Sequence, residues 1–571
     1  MNSVSNFSAA IEALYDRLLA EPLDPVWLSL VPRDAALARA REIENHPTWP
    51  LAGSTFAVKD NFDVAGMQTT AGCPAYARIP EATATVVRRL SDAGALLIGK
   101  TNMDQFATGL VGTRSPYGAC SSVFDPHYIS GGSSSGSAVA VAKKLVTFSL
   151  GTDTAGSGRV PAAFNGLIGL KPTRGLLSAQ GVVPACRTLD CVSIFATNCQ
   201  DACGVWRAAR GFDSADPFSR ERCPGEGAAP WLHSNIRFGV PAPEQLEFFG
   251  DDEAARLYQA AIEKLQRIGA EKIEIDFAPF RQAAALLYGG AWVAERLAAI
   301  KDFFAAHASE MNPVVQGIIG GAARYSAVAA FEGEYRLREL CSEAGKQWKQ
   351  MDVLVLPTTG TIYTHEQIAA DPVKLNTNLG YYTNFVNLMD LAAVAIPAGF
   401  RPNGLPFGIS FIGPAFTDEA LLAFADRYLG GSTPLLQNCP GCVEIAVVGA
   451  HLTGQPLNWQ MTERSARRVR TGRTAADYRL FALSDGVPAK PGLMRDRGFH
   501  GPGIEVEVWA MPEDRFGTFV AAIPPPLGIG TITLDSGESV KCFLCEPYAL
   551  SGATEITHFG GWRAYLASSK S

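Results

Sequence analysis

The sequence predicts two domains, a large α/β domain followed by a smaller, strand-rich α+β domain. Three observations carry this. Apolar runs and amphipathic stretches interleave over residues 52–430, a cluster of turn formers (GGSTPLLQNCPGCVE) interrupts the chain near 430–444, and beyond it apolar strands follow one another. At 571 residues the chain exceeds a single domain of ordinary size, and its last part, about 125 residues, can own a core. The expected boundaries are 1–435 for the large domain, with a helical arm over 1–50, a linker over 436–444 and a C-terminal domain over 445–571.

In chain order, AAIEALYDRLLA and RDAALARAREIE read as helices of the N-terminal arm, with charged positions on one face. Next, GSTFAVKDN, GALLIGKTN, LVTFSLGTD, MDVLVLPTT, LAAVAIPAG and FGISFIGP read as buried strands, each running into Gly, Pro, Asn, Asp or Thr. Between them ATATVVRRLSDAG, SGSAVAVAKKL, DEAARLYQAAIEKLQRIG and DEALLAFADRYLG read as helices, the interleaving that covers both faces of a sheet. Past the turn cluster, EIAVVGAHL, DYRLFAL, GIEVEVWAM, GTFVAAI and ESVKCFLCE read as strands, with PPPLGIG and DSGE as turns.

Composition removes several function classes. With 49 Lys+Arg against 56 Asp+Glu the net charge is −7, which offers no basic footprint for nucleic acid. No window approaches the ~18 apolar residues of a membrane span, so no membrane partner is expected. The start MNSVSNFSAA lacks the basic and apolar regions of a secretory leader, and the 12 cysteines are scattered, so a reducing cytoplasm is expected. Two C-x-x-C pairs, Cys439/Cys442 and Cys542/Cys545, match a zinc pattern. Residues i and i+3 of the strand VKCFLCE point to opposite faces, so incidental thiols are the preferred reading, with no metal and no cofactor.

Chemistry concentrates in three places: Lys59 in FAVKDN, the run Gly131–Ser137 and the run Gly151–Gly158. Alone, each has a bland reading, a snorkelling lysine or a flexible Gly/Ser turn. Together they ask for more. GGSSSGS feeds directly into a helix, and GTDTAGSG follows a strand, where successive amides can converge on an anion beside a serine. No histidine falls between His127 and His233, so no imidazole base is local to either serine run. A desolvated lysine can replace it, because burial disfavours the ammonium form. Two competing motifs are weaker. Gly132-Ser133-Ser134-Ser135-Gly136 formally matches a nucleophile elbow with Ser134 as nucleophile, and a P-loop fails for want of its lysine.

These residues resemble the amidase signature family. The likeness rests on AVKDN, GGSSSGSAVAVA and GTDTAGSGRVPAAFNGLIGLKPTRG in that order, and it extends over about residues 50–430. The resemblance implies the family fold, a mixed β-sheet core covered by helices, and a metal-free Ser-Ser-Lys mechanism. Ser157 would be the acylated nucleophile, Ser133, preceded by a cis peptide bond, the proton relay, and Lys59 the general base. The backbone amides of Thr154, Ala155, Gly156 and Ser157 would form the oxyanion hole.

Substrate choice must come from elsewhere. On one helix Tyr288 and Arg296, eight apart in LLYGGAWVAERLAAI, would share a face two turns apart and could grip a small anion; by composition alone such an arginine is usually solvated. The segment is similar to the two-domain allophanate hydrolase branch of the family, and the likeness implies that this pair binds the carboxylate of allophanate (urea-1-carboxylate). Ammonia and N-carboxycarbamate would be the first products. Other readings stay open: an amidase of another small amide, an amidotransferase-type subunit, or a catalytically silent small-anion binding protein. The resemblance further implies a homodimer and functional pairing with a urea carboxylase.

The C-terminal segment is similar to the same branch in VVGAHLTGQPLNWQ, GIEVEVWAM, FVAAIPPPLGIGTITL and CFLCEPYAL, and its opening turn to a γ-glutamyl-cyclotransferase-like barrel. The likeness makes His451 a candidate for promoting decarboxylation of N-carboxycarbamate, with Gln455 and Asn458 as polar neighbours. A structural histidine is the alternative, and the domain could instead serve assembly or docking. Arg464, Arg467, Arg468, Arg470 and Arg473 read as a solvated helix face or as a local field for an anionic intermediate.

Overall fold

The computed structural model describes the chain apart from residues 1–5, 21–24, 222–228, 234–235, 432–440, 485–487 and 569–571. It divides into two compact units, Met1–Arg222 with Arg237–Leu435, and Cys223–Ile236 with Leu436–Ser571. The short 223–236 excursion into the second unit has no counterpart in the sequence reading. The expected linker falls outside the described residues over 436–440, and Cys442–Glu444 already belong to a strand.

In the first unit the apolar runs become one mixed sheet. Its strands are β1 (Trp27–Leu30), β2 (Thr55–Lys59), β3 (Leu96–Thr101), β4 (Phe148–Asp153), β5 (Ile168–Lys171), β6 (Cys191–Ala196), β7 (Arg237–Pro241), β8 (Glu271–Ile275), β9 (Val353–Pro357), β10 (Leu391–Phe400) and β11 (Pro406–Pro414). They lie in the order β1-β3-β2-β4-β6-β5-β10-β11-β9-β7-β8. The neighbours β3, β2 and β4 run parallel, with Val58 opposite Lys100 and Leu150. Every residue of β2, β4, β5, β6 and β9 is buried, as continuous apolar runs under helices require.

The N-terminal arm is not purely helical. Helices α1 (Phe7–Ala20) and α2 (Arg33–Glu44) flank β1, which pairs antiparallel with β3 at the sheet edge. Further helices are α3 (Thr85–Asp92), α4 (Ser135–Ala142), α5 (Val160–Phe164), α6 (Cys199–Ala209), α7 (Asp252–Arg267), α8 (Ala278–Gly289) and α9 (Trp292–Ala299). Helix α4, SGSAVAVA, is built of small residues and is buried along nearly its whole length, so its backbone can press close to the sheet. The single helix expected across Tyr288 and Arg296 is broken. Gly290 takes an extended conformation, and α8 and α9 are separate helices.

In the second unit β12 (Cys442–Val447), β13 (Arg467–Arg473), β14 (Tyr478–Ala482), β15 (Pro491–Arg495), β16 (Glu505–Pro512), β17 (Leu527–Thr533), β18 (Ser539–Cys545) and β19 (Thr554–Glu555) form two sheets. Their orders are β13-β16-β12-β18-β17 and β15-β14-β19. Two expectations are corrected. GTFVAAI is not a strand: Gly517–Ala521 end a helix, Glu513–Ala521, whose Phe516, Phe519 and Val520 recur at helical spacing behind two acidic residues in the first turn. Arg467, Arg468, Arg470 and Arg473 lie on strand β13, not a helix face, and pair with β16, while Arg464 lies in the turn before it.

Candidate active site

Lys59 is the last residue of β2 and Thr152 lies one strand over on parallel β4, so both stand at the carboxyl ends of the central strands, where α/β sheets open a crevice. Lys59 is fully buried. Its Nζ donates to Ser133 Oγ at 2.7 Å and to Thr152 Oγ1 at 2.8 Å, and Ser133 Oγ donates to Ser157 Oγ at 3.0 Å. Burial pulls the ammonium pKa from 10.5 down to about 7, against the opposing charges of Asp104, Asp190 and Asp153; the Arg296 charge pushes it further down. The three residues that the sequence nominates thus form one continuous hydrogen-bonded chain.

Each serine is held from a different side. The Gly132–Ser133 peptide bond is cis. Asp104 N–H donates to the Ser133 carbonyl at 3.0 Å and Gly132 N–H to the Leu110 carbonyl at 2.9 Å. A side chain at position 132 would lie 2.2 Å from Asp104 Oδ2 and 2.5 Å from Gly112 N, so only glycine fits. Ser134 Oγ donates to the Thr152 carbonyl at 3.1 Å and makes no other hydrogen bond among the described residues, which removes it from the base and argues against the elbow reading. Ser157 follows β4 in the turn 153–159. Its Oγ also reaches the Gly109 carbonyl at 3.4 Å.

That turn is organised by a buried ion pair the sequence reading did not single out. Arg159 grips Asp153 through Nε at 2.9 Å and Nη2 at 2.9 Å, both residues fully buried. Burial alone would raise the Asp153 carboxyl, but Arg159 holds it below its ordinary value. Asn387 donates to the Asp153 carbonyl at 2.7 Å and accepts from Arg159 at 3.2 Å. Asp153 also takes the amides of Gly156 at 2.9 Å and Gly158 at 3.0 Å. The Gly156 amide, expected in the oxyanion hole, is therefore already donated to a carboxylate. The amides of Thr154, Ala155 and Ser157 have no acceptor among the described residues. Thr154 Oγ1 donates to Asp190, whose carboxyl burial raises to about 6.

Although on separate helices, Tyr288 and Arg296 meet: Arg296 Nη2 donates to Tyr288 Oη at 3.1 Å. Arg296 is only 2% exposed, has no carboxylate within ion-pair range among the described residues, and leaves its Nε without a partner. Its Nη1 donates to Thr108 Oγ1 at 3.1 Å. The next residue, Gly109, supplies the carbonyl that faces Ser157, so the arginine and the serine contact adjacent residues of one segment. A buried guanidinium without an acid is costly unless a ligand supplies one.

In the second unit His451 is half-buried beside a cavity of about 230 Å³. Its Nε2 and Gln460 Oε1 are 2.9 Å apart, and its ring stacks on Phe543 with centroids at 4.9 Å. Burial lowers the imidazole pKa. Of the expected neighbours, Asn458 donates to the His451 carbonyl at 2.8 Å, whereas Gln455 makes no bond to the ring; Gln460 is the partner instead. The arginines pair with acids: Arg468 with Glu507 at 3.3 Å and Arg470 with Glu444 at 2.9 Å. Cys542 and Cys545 are unpaired thiols, Cys439 lies outside the described residues, and no metal-ligating cluster occurs among the described residues.

The two units have separate counterparts among known proteins. Residues 9–422 match the Amidase family and residues 443–567 the Allophanate hydrolase C-terminal domain. The chain is 44% identical to the urea amidolyase of Saccharomyces cerevisiae over 97% of its own length, but spans only 32% of that protein. Among solved structures, Kluyveromyces lactis allophanate hydrolase superposes with a TM-score of 0.82 at 42% identity, covering 98% of this chain and 97% of that one. The peptide amidase of Stenotrophomonas maltophilia superposes with a TM-score of 0.62 at 28% identity, covering 76% of this chain and 95% of that one.

Proposed function

We propose, from the premise that this chain belongs to the Amidase family and carries an allophanate hydrolase C-terminal domain, that it hydrolyses allophanate. The observation that carries this reading is the buried Arg296, which has no carboxylate in ion-pair range among the described residues and bonds Thr108, the neighbour of the Gly109 whose carbonyl faces Ser157. A carboxylate bound to Arg296 and Tyr288 would aim the terminal carbamoyl carbon of a small substrate at Ser157, and such orientation supplies much of a rate enhancement.

With Lys59 uncharged, its Nζ can accept instead of donate, and the hydrogen-bond chain reverses into the catalytic direction. Ser157 gives its proton to Ser133, Ser133 gives its own to Lys59 Nζ, and Ser157 Oγ attacks the carbamoyl carbon. The amides of Thr154, Ala155 and Ser157 receive the oxyanion, each donor contributing about 3 kcal/mol, while Gly156 stays bound to Asp153. The proton on Lys59 returns through Ser133 to the leaving nitrogen, and ammonia departs. Water, deprotonated by the same path, hydrolyses the acyl-serine to N-carboxycarbamate. In the C-terminal domain a C–N bond of this dianion breaks, its electron pair stays on nitrogen and takes up a proton, and CO₂ leaves carbamate behind. His451, a neutral ring in a small cavity, is proposed to promote that step.

Ammonia release from allophanate by the purified chain tests the reading, with a neutral amide of similar size as comparison. No ammonia from allophanate, or equal use of the neutral amide, overturns it. We further propose a cytoplasmic homodimer paired with a urea carboxylase. The cytoplasm is supported by the disulfide-free thiols of Cys73, Cys186, Cys191, Cys199, Cys203, Cys542 and Cys545. The dimer is supported by an exposed stripe of Val328, Phe331 and Tyr335 on the helix Ala327–Trp348, and light scattering would show its mass. The pairing is supported by the length of the urea amidolyases beyond the third that this chain spans.

A further inference from the structure

No arginine lines the His451 cavity among the described residues, and those that the sequence singles out near it are held elsewhere. Arg468 and Arg470 are spent on Glu507, Glu444 and Glu538, Arg473 on the carbonyls of Pro502 and Gly503, and Arg464 on the Gln460 carbonyl with Glu463 at 3.8 Å. One cation on the cavity wall is different. Lys490 lines the same cavity as His451 and Gln460, on the segment leading into β15, and makes no ion pair or side-chain hydrogen bond among the described residues. The rest of the wall is largely apolar, with Leu457, Ile523, Leu527 and Phe543 among its residues. A cation on a largely apolar wall, with no acid paired to it among the described residues, leaves its charge to be met by whatever enters.

We propose that Lys490 is the anion-binding residue of this cavity and that the cavity takes small dicarboxylates, one carboxylate on the Lys490 ammonium and the rest of the molecule beside the His451 ring. At about 230 Å³ the space suits a ligand of several heavy atoms and not a peptide. The assignment rests on the decarboxylation reading of this domain, whose intermediate carries two carboxylates on one nitrogen. It names the group that would hold that dianion while His451 acts.

Malonate, with two carboxylates on one carbon, is a stable probe of the same charge spacing. In the full-length chain with labelled histidine, the His451 ring resonance is followed on malonate titration, with malonamide as uncharged control. The signal should move with malonate and not with malonamide. In Lys490→Met the malonate dissociation constant should rise at least tenfold, and in Lys490→Arg it should return to within about threefold of the parent. An unmoved His451 signal in the parent, or an unchanged constant in Lys490→Met, overturns the assignment. A separate measurement isolates the underlying reading: if His451→Ala leaves the rate of CO₂ release unchanged while malonate binding behaves as stated, the decarboxylation role fails and the anion site stands.

Discussion

Lys59 links catalysis to stability, and the link can be measured. An ordinary lysine is about 0.03% uncharged at pH 7; with its pKa brought by burial from 10.5 to about 7, roughly half of the folded molecules carry the free amine that a base requires. The unfolded chain holds that proton up to about pH 10.5, the folded chain only up to about 7. Between these values the unfolded state binds more protons, so folding stability rises with pH; below about 7 both states hold the proton and the penalty is constant. From pH 7 to pH 10 the change amounts to about 4 kcal/mol for this one group. Lys59→Met removes the titration. Urea midpoints read by tryptophan fluorescence at pH 7, 8, 9 and 10 should show the variant gaining on the parent at pH 7, and the difference between the two proteins moving by about 4 kcal/mol towards the parent by pH 10. In parallel, kcat/KM of the parent should climb about tenfold per pH unit below ~6 and level off above ~8. A stability difference independent of pH, or a flat kcat/KM profile through this range, would refute the claim that this amine is buried and uncharged at work.

Three further outcomes follow from the same geometry. Ser157→Ala should abolish acylation, whereas Ser134→Ala, which loses only a bond to the Thr152 carbonyl, should cost less than tenfold in kcat; a dead Ser134 variant with an active Ser157 variant would restore the elbow mechanism. Arg296→Met should raise KM for allophanate by two or more orders of magnitude and leave kcat/KM for a neutral amide within about threefold, both read from ammonia release. Asp190→Asn, which keeps the shape but weakens the bond from Thr154, should lower kcat by about tenfold with KM nearly unchanged, since it acts on a loop proposed to bind the transition state; a pure KM effect would contradict this.

How far the sequence could be read depended on how local the determinants were. Lys59, Ser133 and Ser157 were recognisable because each sits in its own contiguous motif, and the parallel strands β2 and β4 bring those motifs together. The engagement of the Gly156 amide with a carboxylate was not legible for the opposite reason. The amide's direction is set by Asp153, which is fixed by Arg159 and, from 234 residues away, by Asn387, and no local pattern announces such a partner. The break at Gly290 escaped notice because LLYGGAWVAERL stays apolar on both sides of it, so periodicity ran on while the backbone turned. Thr518, Phe519 and Val520 gave the helix Glu513–Ala521 a strand-like composition, and burial of Phe519 in the core at helical spacing from Phe516 decided otherwise.

The unexpected break has a consequence for selectivity. A continuous helix would carry Arg296 rigidly with Tyr288; as a separate element, α9 must be anchored by other contacts. Glu295 supplies one, accepting from the Thr188 amide at 2.6 Å and from the Thr188 hydroxyl at 2.8 Å. Two residues later in that loop, Asp190 accepts the Thr154 hydroxyl beside the oxyanion turn. The stretch Ala185–Asp190 therefore holds both the helix bearing Arg296 and the turn bearing Ser157. Under the proposed function, a substrate carboxylate seated on Arg296 would load the same loop that holds the turn proposed to bind the oxyanion, so that binding energy of the remote charge would be spent at the reacting carbon.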